Sequence, residues 1–209
     1  SSQGCVRLTA APVCRPLCVT PILPGFFRQY PHVALELSVS ERQVDLVGEG
    51  VDLAIRHGPL VDSSLTARKL SETESLLVAS PGYIAAKGRP ARLADLDGHT
   101  GVVFARNHER RPWRFKVGRE TVHRVPQGSF FTGDAEQVRA AVLHGLGIAQ
   151  APRWLFGAEI DTGQIEVLLP EFQPERMATH LVYPAGRRVP TRVRVVIDYL
   201  MSALGTTST

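Results

Sequence analysis

Lysine is scarce in this 209-residue chain. Only Lys69, Lys87 and Lys116 are lysines, the remaining positive charge is arginine, and the formal net charge is a mild +4. The cations are scattered, so a pI near 9.2 does not by itself make the chain a nucleic-acid binder. The densest knot, RNHERRPWR at 106–114, has the composition to touch phosphate, but a solvated surface loop is the plainer reading. Cysteine is equally sparse. Cys5, Cys14 and Cys18 are odd in number and bunched at one end, which does not make a disulfide framework and fits a reducing cytosol. Cys14 and Cys18 are spaced to share a helix face, where small apolar filler is the simpler role and a redox switch the sharper one. No run of about 18 apolar residues is present to span a membrane. No charged-then-apolar secretory leader opens the chain either.

Chemical signatures are missing as well. There is no GxxxxGK[ST] phosphate loop and no GxSxG nucleophile elbow. Gly145 and Gly147 begin like a dinucleotide loop, but Gln150 stands where its third glycine belongs. His57, His99, His108, His123, His144 and His180 are isolated, and no cluster has metal-ligand spacing. Neither a metal, a cofactor nor a catalytic residue is therefore expected.

What is present is the patterning of a globular α/β protein, with 44% hydrophobic and 21% charged residues. VRLTA (6–10) reads as a strand. A helix follows from Thr20, a plausible N-cap, with Pro21 in its first turn and Pro31 as its stop. HVALEL (32–37) is a second strand, and Ser40 with Gln43 has capping-box spacing for a short helix towards Gly48. GVDLAIRHG (50–58) then supplies a third strand, with Arg56 and His57 following it. Such βαβ units predict a largely parallel, doubly wound sheet.

Further strands are read at SLLVAS (75–80), TGVVF (100–104), GLGIAQAP (145–152), IEVLL (165–169) and THLVYP (179–184). Ser80 caps a helix opening on Pro81. Residues 113–125 make a hairpin about Gly118-Arg119, and Thr132 or Asp134 caps a helix through His144. A short helix is expected at about 153–159, and an amphipathic one from Pro190 carries the stripe Val193, Val196, Ile197 and Leu200.

In open α/β sheets, ligands sit beyond the carboxyl ends of the strands. Here those positions hold Val13 after the first strand, Ser40 after the second and His57 after the third. In the later part of the chain, Phe104 follows a strand and Thr132 precedes a helix. Small residues, hydroxyls and one or two cations suit a compact anionic ligand, a small organic acid or an aromatic carboxylate, helped by helix-end N–H groups.

Several stretches together resemble the C-terminal effector-binding domain of LysR-type transcriptional regulators. They are RQYPHVALEL and LVGEGVDLAIRHG within 23–70, LLVASPGYIAAKGRPARLADLDGH at 76–99, AAVLHGLGIAQAPRW at 140–154, and VYPAGRRVPTRVRVVIDYL near the end. The resemblance implies two Rossmann-like lobes joined by two crossover strands, a type 2 periplasmic-binding-protein-like fold. Lobe I would be 1–72 plus 174–209 and lobe II 73–173, with the effector held between them. By the same resemblance Val13, Ser40 and Thr132 would be effector-binding positions, joined by His57 and Phe104 from the strand-end argument. The family often has serine or threonine after the first strand, where this chain has AAPVC, so Val13 offers only backbone or apolar surface.

The family's partners are a small-molecule effector, a second copy in a homodimer or tetramer, and DNA, contacted only through an N-terminal helix-turn-helix domain absent from this chain. The chain begins at Ser1 without a methionine, so a preceding segment is expected. Cytoplasmic location and no membrane contact go with this reading. The competing readings are a periplasmic solute-binding protein with the same two-lobe logic, and a small enzyme using Cys14 or His57.

Overall fold

Val6, Leu8 and Ala10 alternate with Cys5, Arg7 and Thr9, and that period-2 pattern makes strand β1 (Gly4–Ala10), with Val6 and Leu8 almost completely buried. The structure is a computed structural model that describes residues 3–10, 19–39, 45–58, 64–106, 109–186 and 189–205. After β1 come helix α1 (Val19–Gln29) and strands β2 (Val33–Val39), β3 (Leu53–His57) and β4 (Leu65–Thr73). The chain divides into two units. Unit 1 comprises 1–72 with 177–209, and unit 2 comprises 73–176.

Unit 2 contains β5 (Ser75–Ala79), α2 (Pro81–Lys87), β6 (Val102–Arg106), β7 (Glu109–Arg110), β8 (Trp113–Val117), β9 (Glu120–Arg124) and β10 (Phe130–Thr132). It continues with α3 (Ala135–Leu143), β11 (Ala149–Pro152), α4 (Gly157–Asp161) and β12 (Glu166–Leu168). The chain then returns to unit 1 as β13 (Met177–Pro184) and α5 (Thr191–Leu204).

The sheet of unit 1 has the order β2-β1-β3-β13-β4. β1 is parallel to β2 and to β3, in a register that sets Ala10 opposite Val39 and Ile55. The carboxyl ends of β1, β2 and β3 thus open on the same edge. β13 runs antiparallel to β3. The stripe Val193, Val196, Ile197 and Leu200 of α5 is buried in one core with Val6, Leu8, Ile55 and Phe26. α1 and α5 meet at Gly25, where any Cβ would collide with the Tyr199 hydroxyl, which donates to the Ile22 carbonyl at 3.0 Å. Tyr199 also meets Phe26 edge-on, with ring centroids 5.2 Å apart.

Unit 2 has its own core of Leu77, Ala79, Tyr83, Leu96, Trp113, Phe115, Ile148 and Leu168. Ser80 accepts from the Tyr83 N–H at the start of α2, and Gly88 ends that helix with a positive φ. Sheet β10-β6-β7 joins parallel and antiparallel neighbours, and β8–β9 is a hairpin turning at Gly118, φ 61°.

Several sequence expectations need correction. α1 starts at Val19, so Thr20 is inside the helix and does not cap it, and Pro24 is an interior proline. Arg56 and His57 are the last residues of β3, not residues beyond it. Among the described residues, parallel pairing joins β1 to β2 and to β3 and β10 to β6, with an isolated parallel bridge from Gly101 to Ile148, whereas β5 pairs antiparallel with both β11 and β12. Hydrophobic alternation buries a strand without encoding the direction of its neighbour, which explains that miss. Asp134, not Thr132, caps α3, because its carboxylate reaches the Glu136 and Gln137 N–H groups. The helix expected from Ser40 falls mostly outside the described residues, and residues 46–50 are turn.

Candidate functional site: the strand ends of each unit

Of the five residues singled out in the sequence, Val13 and Ser40 lie outside the described residues. His57, Phe104 and Thr132 are described, the first in unit 1 and the other two in unit 2.

In unit 1, His57 closes β3 opposite Thr179 of β13. The two side chains meet at 2.7 Å between His57 Nδ1 and Thr179 Oγ1. Burial, aided by the neighbouring His180, pushes the His57 pKa down from 6.5 to about 4. The ring is therefore neutral near pH 7. It has one N–H and one lone pair, and Nδ1 either accepts from or donates to the Thr179 hydroxyl, according to the tautomer. His180 is itself held below the usual histidine range, by burial and by Lys69. A hydroxyl on an imidazole has the outline of a nucleophile and its base, but Thr179 is 1% exposed within a paired strand. No substrate atom can reach it, so the pair acts as a structural hydrogen bond.

In unit 2, the parallel register sets Thr132 directly opposite Phe104, so the two side chains share one face of the β6–β10 pair. Both are half-buried. Thr132 Oγ1 accepts from the Asp134 N–H at 3.1 Å, which leaves the hydroxyl proton to be donated. Gly133 next to it comes so close to the Ala105 carbonyl that an added Cβ would sit 3.1 Å from that oxygen. The Asp134 carboxylate accepts from two first-turn N–H groups of α3, at 2.7 Å from Glu136 N and 3.2 Å from Gln137 N.

A cation lies on the same face. The Arg111 guanidinium lies over the Phe104 ring, 5.6 Å from its centroid, and the Arg111 N–H donates to the Phe104 carbonyl at 3.0 Å. Arg110 turns to the opposite face and stacks on Phe131 at 4.2 Å. Both arginines belong to the 106–114 knot read from sequence as a solvated loop. Sequence reasoning missed Arg111 because only the pairing of β6 with β7 brings it to Phe104.

A concavity on unit 2, of about 700 Å³, is lined by Ser80, Tyr83, Lys87, His144, Leu146 and Gln164, among others. Its Ser80 hydroxyl and Tyr83 phenol are committed, to Tyr83 N and to Thr100 N with His99, so it presents few convergent polar groups. Among the described residues, no group of three or more His, Cys, Asp or Glu is placed to hold a metal ion. No helix among them is long and apolar enough to cross a membrane.

Comparison with known proteins gives consistent results. Residues 1–205 match the family model described as the LysR substrate binding domain. The chain is 31% identical over 177 residues to an uncharacterised HTH-type transcriptional regulator of Haemophilus influenzae, covering 85% of this chain and 62% of that protein. It is 31% identical over 203 residues to the HTH-type transcriptional regulator PtxR of Pseudomonas aeruginosa, covering 97% and 65%. The chain thus spans less than two thirds of the length of these two relatives. Among solved structures, the CrgA regulatory domain of Neisseria meningitidis superposes with a TM-score of 0.83 at 29% identity, covering 97% of this chain and all of that one. Full-length AphB of Vibrio cholerae gives 0.83 at 27% identity, covering 97% of this chain and 69% of that one.

Proposed function

The chain belongs to the LysR substrate-binding domain family, and on that premise we propose that it is the ligand-sensing part of a bacterial LysR-type transcription regulator. The observation that carries this reading is the family match along residues 1–205, nearly the whole chain. In this proposal a small, anionic effector is read by the strand-end residues of each unit. These are Val13, Ser40 and His57 in lobe I (1–72 plus 174–209), and Phe104 and Thr132 in lobe II (73–173).

The relatives are named as transcription regulators, not enzymes. The buried Thr179–His57 pair supports the same inference of no catalytic role. A homodimer or tetramer would pass the signal to a DNA-binding domain outside this chain, in the cytoplasm. A ligand can drive that switch only if it binds one arrangement more tightly than the other. A periplasmic solute-binding protein is not favoured, because the relatives are regulators.

The test is a thermal-shift screen of metabolites on this chain, followed by promoter-reporter measurements with the full-length gene product. A true effector raises the melting temperature in a saturable way, by several degrees at ~100 times its Kd, and alters reporter output. Ser40→Ala should weaken both responses. If deleting the gene changes no promoter's response to any stabilising metabolite, the regulator reading is overturned.

A further inference from the structure

We propose that Glu74 is the clasp of a conformational device in unit 2. Its carboxylate ties down the segment 173–176, through which the chain leaves that unit, and screening or removing its charge releases the segment as a free tether. None of the residues involved belongs to the strand-end positions assigned to the effector.

The first observation is where the chain crosses. It passes from one unit to the other twice, between residues 72 and 73 and between 176 and 177. Hinge motions are absorbed by a few residues at the ends of elements, so the residues at these passages set how freely such a hinge works. Glu74 stands between β4 and β5, and Arg176 immediately precedes β13. Arg176 Nη2 donates to Glu74 Oε1 at 3.1 Å, across 102 residues of sequence. One ion pair thus joins the two passages.

The second is that Glu74 is anchored to the body of unit 2 through its backbone, whereas 173–176 is held through its side chains. The Arg153 N–H donates to the Glu74 carbonyl at 2.8 Å, beside the β5–β11 pairing that sets Ser75 opposite Pro152. The Arg153 guanidinium lies 3.9 Å from Glu74 Oε2 and 3.7 Å from Asp161, so the clasp is part of a chain of four charges. Residues 173–176 belong to no helix or strand. Two ion pairs hold them, Arg176 with Glu74 and Glu175 with Lys116 of β8.

The third is exposure. The side chains of Arg176 and Glu175 are 51% and 80% exposed, so water and salt reach both pairs. Exposed ion pairs are weak singly and weaken further as salt rises, which makes them reversible fastenings. With the pairs closed, the flexible part of this passage is confined to the 176–177 junction. With them open, residues 173–176 join it and add about 14 Å of extended chain.

The experiment compares this chain with its E74Q, K116Q and E74Q/K116Q variants by NMR relaxation of the Glu175 and Arg176 amides and by limited trypsin digestion. Cleavage after Arg176 is measured relative to cleavage after Arg119, an exposed residue between β8 and β9 that takes no part in the clasp. In ~0.1 M salt the two amides of the parent should be rigid, with order parameters near about 0.85, and those of the double variant should fall below about 0.6. E74Q should raise relative cleavage after Arg176 by about 2- to 10-fold, the range for one or two exposed ion pairs. Raising salt to ~1 M should do the same to the parent and add little to the double variant. The clasp is overturned if E74Q leaves both readouts unchanged, or if salt loosens the double variant as much as the parent. Cleavage after Arg119 that rises in step with cleavage after Arg176 marks general unfolding and overturns it too. The salt titration of the parent needs no variant, so relative cleavage unmoved by salt overturns the clasp even if E74Q fails to fold.

Discussion

His57 and Arg111 show how a side chain's surroundings act on its charge. The His57 pKa falls from 6.5 in the unfolded chain to about 4 in the folded one, because burial disfavours the imidazolium and His180 adds to the penalty. Between those values the unfolded chain binds a proton that the folded chain refuses, so stability rises with pH there and makes no further gain above 6.5. Each pKa unit is worth about 1.4 kcal/mol, so the full penalty at acid pH approaches ~3 kcal/mol. Thermal melts from pH 7 down to pH 4.5 should therefore fall more steeply for the parent chain than for His57→Gln. His180, also held low, keeps some of the slope in the variant. An unchanged acid limb in His57→Gln would sink this account. At Arg111 the environment acts differently. The charge is permanent, and the guanidinium lies over the Phe104 ring, 5.6 Å from its centroid.

At the scale of elements, the α1–α5 contact depends on the missing side chain of Gly25. The Tyr199 hydroxyl occupies the space a Cβ would need, and its bond to Ile22 O ties the last helix to the first. Gly25→Ala must push Tyr199 aside, at a cost of about 1–3 kcal/mol. Tyr199→Phe alone loses one hydrogen bond, worth roughly 1 kcal/mol. Because Tyr199→Phe removes the clashing oxygen, the double variant should be less destabilised than the sum of the singles, as denaturant melts would show. Strict additivity would contradict the packing described. The amphipathic stripe of α5 was legible from its 3.6-residue period, and so was the Ser80 cap of α2. The direction of β11 and β12 beside β5 was not, since both directions bury the same residues. Thr20 was misjudged as a cap because it and Pro21 carry good N-terminal chemistry, yet Thr20 already lies within the helix, after the buried Val19.

For the whole molecule, the consequential feature is that unit 1 is discontinuous. Its core joins β1, near the amino terminus, to α5, near the carboxyl terminus, whereas unit 2 is one continuous segment with a separate core. Leu200, 2% exposed, packs in that shared core. Leu200→Ala should cost about 2–5 kcal/mol and act locally. Hydrogen exchange should show faster exchange in β1 and β3 with protection retained in β5 and β11. Equal loss of protection in both units would refute that separation.

The amino-acid sequence by itself determined the α/β class, most strands and helices, and the strand-end positions where a ligand is expected, because period, caps and turns are local properties of the chain. It also carried the motifs of the LysR family in their order. Only the tertiary structure decided the side-chain partnerships. His57 meets Thr179 across 122 residues of sequence, and pairing of β6 with β7 and β10 delivers Arg111 and Thr132 to Phe104. Such contacts depend on which strands pair and in which register, and no local pattern of hydrophobic and polar residues records that choice.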